Sequence, residues 1–279
     1  MPIDYEAEYN NRARVPEHPE IMAGWAQAAA QAREALPGPR DLSYGERPRN
    51  LIDGFVPPKR EETAAVVMFI HGGYWQFLDK SSFSHLARGL FEHGIATYVP
   101  SYTLCPQARV GDIIEEMRRA VETVYRRAGR RVVVAGHSAG GHLAGALLAT
   151  DWSARAGDLP AGLVPAAYSI SGLFDLAPLI ETSINKALGL DAAEARAASP
   201  VHWPAPKGLV LDAVVGGAES AEFHRQSAEL AQVWGRAGVA TRYESAPNAN
   251  HFDVIAPMAD PESAMTARLV SLARSSGPK

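Results

Sequence analysis

Hydrophobic and polar positions along the chain fall into two alternating rhythms. Short apolar, β-branched runs, such as Val66-Val67-Met68-Phe69-Ile70 and Val132-Val133-Val134-Ala135, read as strands buried on both faces. Between them lie longer stretches with apolar residues three and four apart, the spacing of helices that pack one face. After a polar, irregular start over 1–17, the pattern predicts an Ala-rich helix over 19–36, closed by Pro37-Gly38-Pro39. Two antiparallel strands over 41–45 and 50–56 follow, then a buried strand over 64–70. A helix over 81–93, capped by Asp79 or Ser81 and stopped by Gly94, leads to a strand over 95–100 and an amphipathic helix over 113–128. Beyond the strand at 132–135 the pattern turns Gly/Ala-rich and helical, and a strand over 164–171 comes next. Short helices are expected in the Ala- and Pro-rich stretch 176–204. A strand over 209–215, a helix over 221–237, a strand over 240–244 and a closing helix over 261–275 complete the chain.

Strands alternating with helices imply right-handed crossovers and a mostly parallel central sheet with helices on both faces, the α/β class, with the first strand pair as an antiparallel edge. No repeat, low-complexity linker or charge block divides the sequence, so residues 1–279 are expected to form a single α/β domain. Within it, 1–36 and 176–204 are candidate cap segments over a site at the carboxyl ends of the strands.

Composition narrows the class. Hydrophobic residues at 47% and charged ones at 21% are ordinary for a soluble globular chain. A net charge of −4 argues against nucleic acid or an anionic membrane as partner, and no apolar run is long enough to span a bilayer. The acidic start Met-Pro-Ile-Asp-Tyr-Glu lacks the apolar segment of a signal peptide. Cys105 is the one cysteine, which excludes a disulfide framework and suits a reducing cytoplasm. It precedes a proline with no histidine placed to activate it, so it reads as a packing residue. The expected partner is a small-molecule substrate; the oligomeric state, a homodimer included, stays open.

The candidate chemistry centres on Gly136-His137-Ser138-Ala139-Gly140, a G-x-S-x-G set between a buried strand and a Gly/Ala helix. So sharp a strand–turn–helix connection brings the flanking glycines almost into contact and lifts the serine hydroxyl above the sheet. A hydroxyl needs a base to become nucleophilic at neutral pH, and imidazole has the suitable pKa. In this topology the base belongs on a loop after the last strand, where Asn250-His251-Phe252 stands, so His251 is the candidate. His137 should face away from the hydroxyl, and His142, one helical turn on, should pack beneath it. His18, His85, His93, His202 and His224 take surface or helix-face readings. Glu219, just past the strand at 209–215, is the candidate acid that orients the imidazole; Asp175, with an alternative reading as a helix cap, is its rival. Asp212 sits too early in its strand, Asp253 too near His251 in sequence, and Glu222 reads as a solvated first-turn charge. His71-Gly72-Gly73-Tyr74-Trp75 follows a buried strand, and the N–H groups of Gly72, Gly73 and Ala139 are the candidate oxyanion hole. His71 would brace that loop. No His, Cys or carboxylate set has metal-ligand spacing, so a cofactor-free, metal-free hydrolytic site is expected.

Taken together, His71–Trp75 and Gly136–His142 resemble the kynurenine formamidase (arylformamidase) branch of the α/β-hydrolases. Tyr9–Arg12, Ser101–Pro106, Ser171–Leu176, Ser220–Ser227 and Asn250–Phe252 extend the resemblance over almost the whole chain. It implies the α/β-hydrolase fold, Ser138 as nucleophile, His251 as base and cleavage of an N-formylkynurenine-like aryl formamide, a step of tryptophan catabolism. The acid of that family is usually Asp where this chain has Glu219. For such a substrate, Tyr74, Trp75, Phe77 and Trp203 are candidate walls of the aryl pocket, with Trp75 and Phe77 alternatively core and Trp203 alternatively a staple for its segment. Arg12 and His202 are candidates for holding the amino-acid carboxylate. A broader carboxylesterase or aryl amidase, or a non-catalytic ligand-binding α/β-hydrolase, are the alternatives.

Overall fold

Valine-rich strands without polar interruptions can satisfy their backbone only inside a sheet covered on both faces, and the chain builds one such sheet. A computed structural model describes residues 2–277. Its strands are β1 (Leu42–Ser43), β2 (Leu51–Phe55), β3 (Val66–Ile70), β4 (Thr97–Pro100), β5 (Val132–His137), β6 (Ala166–Ile170), β7 (Val210–Gly216) and β8 (Ala240–Ala246). Their spatial order is β1-β2-β4-β3-β5-β6-β7-β8. The pairs β1–β2 and β2–β4 are antiparallel, at one edge, and the other five pairs are parallel. The sheet is the mostly parallel α/β architecture expected from the alternating pattern.

The helices are α1 (Tyr5–Tyr9), α2 (Asn11–Arg14), α3 (His18–Ala35), α4 (Ala87–Glu92), α5 (Val110–Ala128), α6 (Ala139–Leu148), α7 (Asn185–Leu188), α8 (Ala192–Ala197), α9 (Ala221–Arg236) and α10 (Ala264–Ser275). Two apolar clusters cover the two sheet faces. One joins Val132 and Val134 to α5, α6 and α9; the other joins Val133 and Ala135 to α3, α4 and α10. Alternate residues of β5 thus feed opposite layers, the period of two that a strand imposes. None of the helices is long and apolar enough to cross a membrane, among the described residues.

Four expected elements differ. The start over 1–17, expected to be irregular, folds into α1 and α2, capped by Asp4 and Asn10, whose side chains accept the Ala7 and Ala13 amides at 3.0 and 3.2 Å. The helix over 81–93 is broken into two 3-10 turns, Lys80–Ser82 and Ser84–Leu86, before α4 begins at Ala87. The cause is Lys80, whose buried ammonium reaches Asp41 at 2.7 Å and Asp53 at 3.0 Å. Asp53, fully buried in β2, also takes Arg33 from α3. A buried charge left without its partner costs several kcal/mol, more than one regular helical turn returns. The last helix starts at Ala264 because Ser263 caps it, accepting the Thr266 amide at 3.0 Å, while residues 256–259 form a separate 3-10 turn. α5 begins at Val110 rather than 113, its backbone entry fixed by the Asp112 carboxylate accepting the Arg109 amide at 3.0 Å.

Candidate active site

Between β5 and α6 the backbone reverses within one residue. Ser138 takes φ 57° and ψ −118°, a conformation an L-residue holds only when its surroundings enforce it. The enforcement is visible: the Ser138 amide donates to the Ile170 carbonyl at 2.8 Å, and its carbonyl accepts from the His142 amide at 3.1 Å. A Cβ on Gly136 would collide with the Gly140 carbonyl, and one on Gly140 with the Ile70 carbonyl, so both positions must be glycine. Ser138 thereby stands at the N-terminus of α6, where unpaired amides favour negative charge.

The loop after β3 lies against this turn. A Cβ on Gly72 would come within 3.0 Å of Ser138 Cβ, and Gly73 turns with φ 104°. Tyr74, Trp75 and Leu78 also hold positive φ, at 49°, 56° and 69°, so left-handed strain is concentrated in this one loop. Among the described residues, the amides of Gly72, Gly73 and Ala139 donate to no carbonyl or side chain of the chain. His71 braces the loop from below: buried, it stacks on Tyr102 with ring centroids 4.2 Å apart, and its Nδ1 lies 2.8 Å from the Gly72 carbonyl. Burial pushes its pKa down to about 4, so it is neutral and no second base.

His251 and Glu219 meet from separate loops. Nδ1 of His251 lies 2.6 Å from Oε2 of Glu219, whose side chain has no exposed surface. A carboxylate only accepts, so Nδ1 carries the proton and Nε2 is left with its lone pair. The other oxygen of Glu219 accepts from Ser171 Oγ at 2.5 Å and from the Gly216 amide at 2.6 Å. Asp175, the rival acid, faces elsewhere: it accepts the Ala177 amide at 3.2 Å and lies 3.9 Å from the Arg225 guanidinium. Asp212 is engaged by Arg268 and Asp253 accepts the Asn250 amide.

Ser138, His137 and His251 line a cavity of about 300 Å³. Its far walls come from the two segments expected as covers: Glu6, Tyr9, Asn11, Arg12 and Trp25 from the first, Ser183 and Ile184 from the second. The wall formed by the loop after β3 includes Gly73, Tyr74 and Phe77. Two proposed walls are absent from it. Trp75 is fully buried and packs edge-on against His142 at 5.0 Å. Trp203 is spent on its own segment, donating Nε1–H to the Ala197 carbonyl at 2.9 Å. His202 is exposed and also outside the cavity, whereas Arg12 lines it.

Two sequence readings need correction. His137 does not simply point away: its Nε2 lies 2.8 Å from the His251 carbonyl and its ring 4.7 Å from the His251 ring, so it fastens the late loop to the elbow. Burial, then the neighbouring His251, lowers its pKa well below 6.5, so the neutral ring donates Nε2–H to that carbonyl. Glu222 is not a solvated charge but a buried one, accepting Tyr9 O–H at 2.7 Å and bound by Arg225 at 2.7 Å. His142 does pack beneath the serine turn, its Nε2 2.7 Å from the Ala198 carbonyl, tying α6 to the stretch 176–204. Sequence reasoning missed Ser171 as a partner of the acid; its φ of 53°, the geometry that aims its hydroxyl, leaves no mark in the residue types. Among the described residues no group of three His, Cys, Asp or Glu could hold a metal ion.

Sheet order, serine elbow and the acid–imidazole pair at the carboxyl ends of the strands define an α/β-hydrolase. A family model described as BD-FAE matches residues 52–160. The chain is 28% identical to a kynurenine formamidase of Danio rerio over 87% of its own length and 84% of that protein's, and 29% identical to one of Salmo salar over 83% and 81%. A crystal structure of a protein from Silicibacter sp. TM1040, proposed to be a thioesterase, superposes with a TM-score of 0.85 at 34% identity, covering 97% of this chain and 100% of that one. The chain belongs to the α/β-hydrolase superfamily and is a hydrolase, similar over most of its length to kynurenine formamidases.

Proposed function

We propose that this hydrolase cleaves an aryl formamide of the N-formylkynurenine type by a serine mechanism that needs no cofactor. The observation that carries the reading is the 2.6 Å contact of His251 Nδ1 with the buried Glu219 carboxylate, in a cavity that Ser138 also lines. Glu219 holds the tautomer in which His251 Nε2 takes the hydroxyl proton of Ser138. The serine oxygen then attacks the formyl carbon, and the oxyanion is received by the amides of Gly72, Gly73 and Ala139, each worth on the order of 3 kcal/mol of barrier. Collapse passes the proton from His251 to the departing aniline nitrogen and leaves a formyl ester on Ser138. Water, deprotonated by the same imidazole, releases formate and restores the hydroxyl. Residues 1–36 and 176–204 act as the cap that shields these steps. The single buried thiol, Cys105, fits a reducing cytoplasm.

A broader carboxylesterase is the second reading, favoured by the proposed thioesterase of the 34%-identical relative. Comparing kcat/KM for N-formyl-L-kynurenine and 4-nitrophenyl acetate decides between the two. The formamidase reading expects the formamide to be preferred despite its poorer leaving group; preference for the ester by orders of magnitude rejects it.

A further inference from the structure

We propose that Arg12 selects substrates whose leaving group carries a carboxylate, an inference that rests on the 300 Å³ cavity being the substrate site described above. Arg12 is the one Lys or Arg in the cavity wall, and among the described residues it makes no ion pair and no hydrogen bond. Other arginines are taken by carboxylates: Arg33 by Asp53, Arg155 by Glu115 and Glu122, Arg225 by Glu222 and Glu229, Arg268 by Asp212. Carboxylates lie close to Arg12 in the sequence, at Glu6 and Glu8, yet neither takes it. Glu6 instead accepts the Ser183 amide and hydroxyl at 2.6 and 2.8 Å, and Glu8 accepts the Glu222 amide at 3.0 Å.

What holds Arg12 is an aromatic face. Its guanidinium carbon lies 4.6 Å from the centroid of the Phe77 ring. Stacking occupies the flat face of the guanidinium and leaves its N–H edge free to form a fork with a carboxylate. Phe77 is fixed in turn, its amide donating to the Gly73 carbonyl at 3.0 Å, so the charge is tied to the loop proposed to receive the oxyanion. Of the other ionisable groups of the wall, His137, Tyr9 and Tyr74 are held neutral by burial, His251 is paired with Glu219, and Glu6, an anion, has both oxygens turned to Ser183. A formyl group fills only a corner of 300 Å³, so what extends toward Arg12 is the leaving group.

Two matched substrate pairs test this. The first is 4-(2-formamidophenyl)-4-oxobutanoate against 2-formamidoacetophenone; the second is 3-(4-acetoxyphenyl)propanoate against phenyl acetate. The charged member of each pair carries an added carboxyalkyl arm at the far end of the leaving group, and comparing wild type with Arg12→Met separates its charge from its bulk. The expected result is a higher kcat/KM for the charged member, expressed mainly in KM. Arg12→Met keeps an unbranched side chain over Phe77 without the charge and lowers that ratio about three- to ten-fold, the range for an exposed to partly desolvated charge pair. Arg12→Lys retains part of the preference and Arg12→Glu inverts it. Added salt erodes the wild-type ratio but not that of Arg12→Met. A ratio identical in wild type and Arg12→Met, or an equal loss on both members, overturns the inference. If only the ester pair is turned over and shows the charge preference, the formamidase reading fails and the role of Arg12 stands. If both formamides are cleaved without charge preference, the reverse holds.

Discussion

Glu219 is one methylene longer than an aspartate, and the structure shows how the extra length is absorbed. The side chain curls back over its own turn so that Oε1 accepts the Gly216 amide at 2.6 Å, while Oε2 reaches His251. Ser171 Oγ supplies a third donor at 2.5 Å. Three donors on a fully buried carboxylate fix its rotamer, and the rotamer fixes the imidazole. Glu219→Ala should therefore lower kcat by about 10³- to 10⁴-fold, the scale set by loss of the orienting acid in serine hydrolases. Asp175→Ala, whose carboxylate faces the Ala177 amide and Arg225, should cost no more than a few-fold. Single-turnover rates of the two variants check this; a larger loss in Asp175→Ala would reassign the acid.

The element that most shapes the cavity is the N-terminal pair α1 and α2, and it is held by polar contacts rather than apolar burial alone. Tyr9 O–H donates to Glu222 at 2.7 Å and accepts from Gln226 Nε2 at 2.9 Å, while the Tyr9 carbonyl accepts Tyr74 O–H at 2.6 Å. Burial raises the Tyr9 pKa, so it stays a donor. Burial alone would raise Glu222, but Arg225 and Tyr9 bring it below its usual value and keep it charged. This seam joins α1 to α9 and to the loop after β3 at once. Tyr9→Phe leaves a buried carboxylate and an amide each short of a partner, so it should cost about 1–3 kcal/mol in urea unfolding. It should also raise KM, because the cavity wall loses its anchor. An unchanged unfolding midpoint would show that the seam contributes nothing.

At the scale of the whole molecule, buried neutral histidines set a pH limit. Burial holds His71 and His142, and partial burial the half-buried His85, down to about 4, and burial holds His137 well below 6.5. In the unfolded chain each protonates near the ordinary value of about 6.5. Their folded pKa values are lowered, so below that value the unfolded state binds more protons and stability falls with falling pH. The loss runs from about pH 6.5 down to about pH 4, at about 1.4 kcal/mol per pH unit for each histidine. Denaturant midpoints measured across that window should fall steeply toward acid, with a slope of more than one proton. A flat profile would mean these rings are hydrated or already charged in the folded protein.

The order of strands and helices, the glycine-bounded serine turn and the late His251 loop could be read from the residues alone. Each rests on local rules: hydrophobic period, the absence of a Cβ, and chain order within the fold. The break in the helix over 81–93 could not, because it answers to Asp41 and Asp53, carboxylates distant in sequence. The separation of Tyr74 and Phe77 on the cavity from Trp75 in the core was also invisible, since it depends on how the loop after β3 packs, Trp75 meeting His142 of α6. Glu219 could be nominated beside Asp175 from the sequence. Which of the two faces His251 depended on where β6, β7 and their loops came to rest. Local propensity and chain order determine which elements form; partners for buried charge and strained backbone exist only once the elements have packed, so the tertiary structure alone decides them.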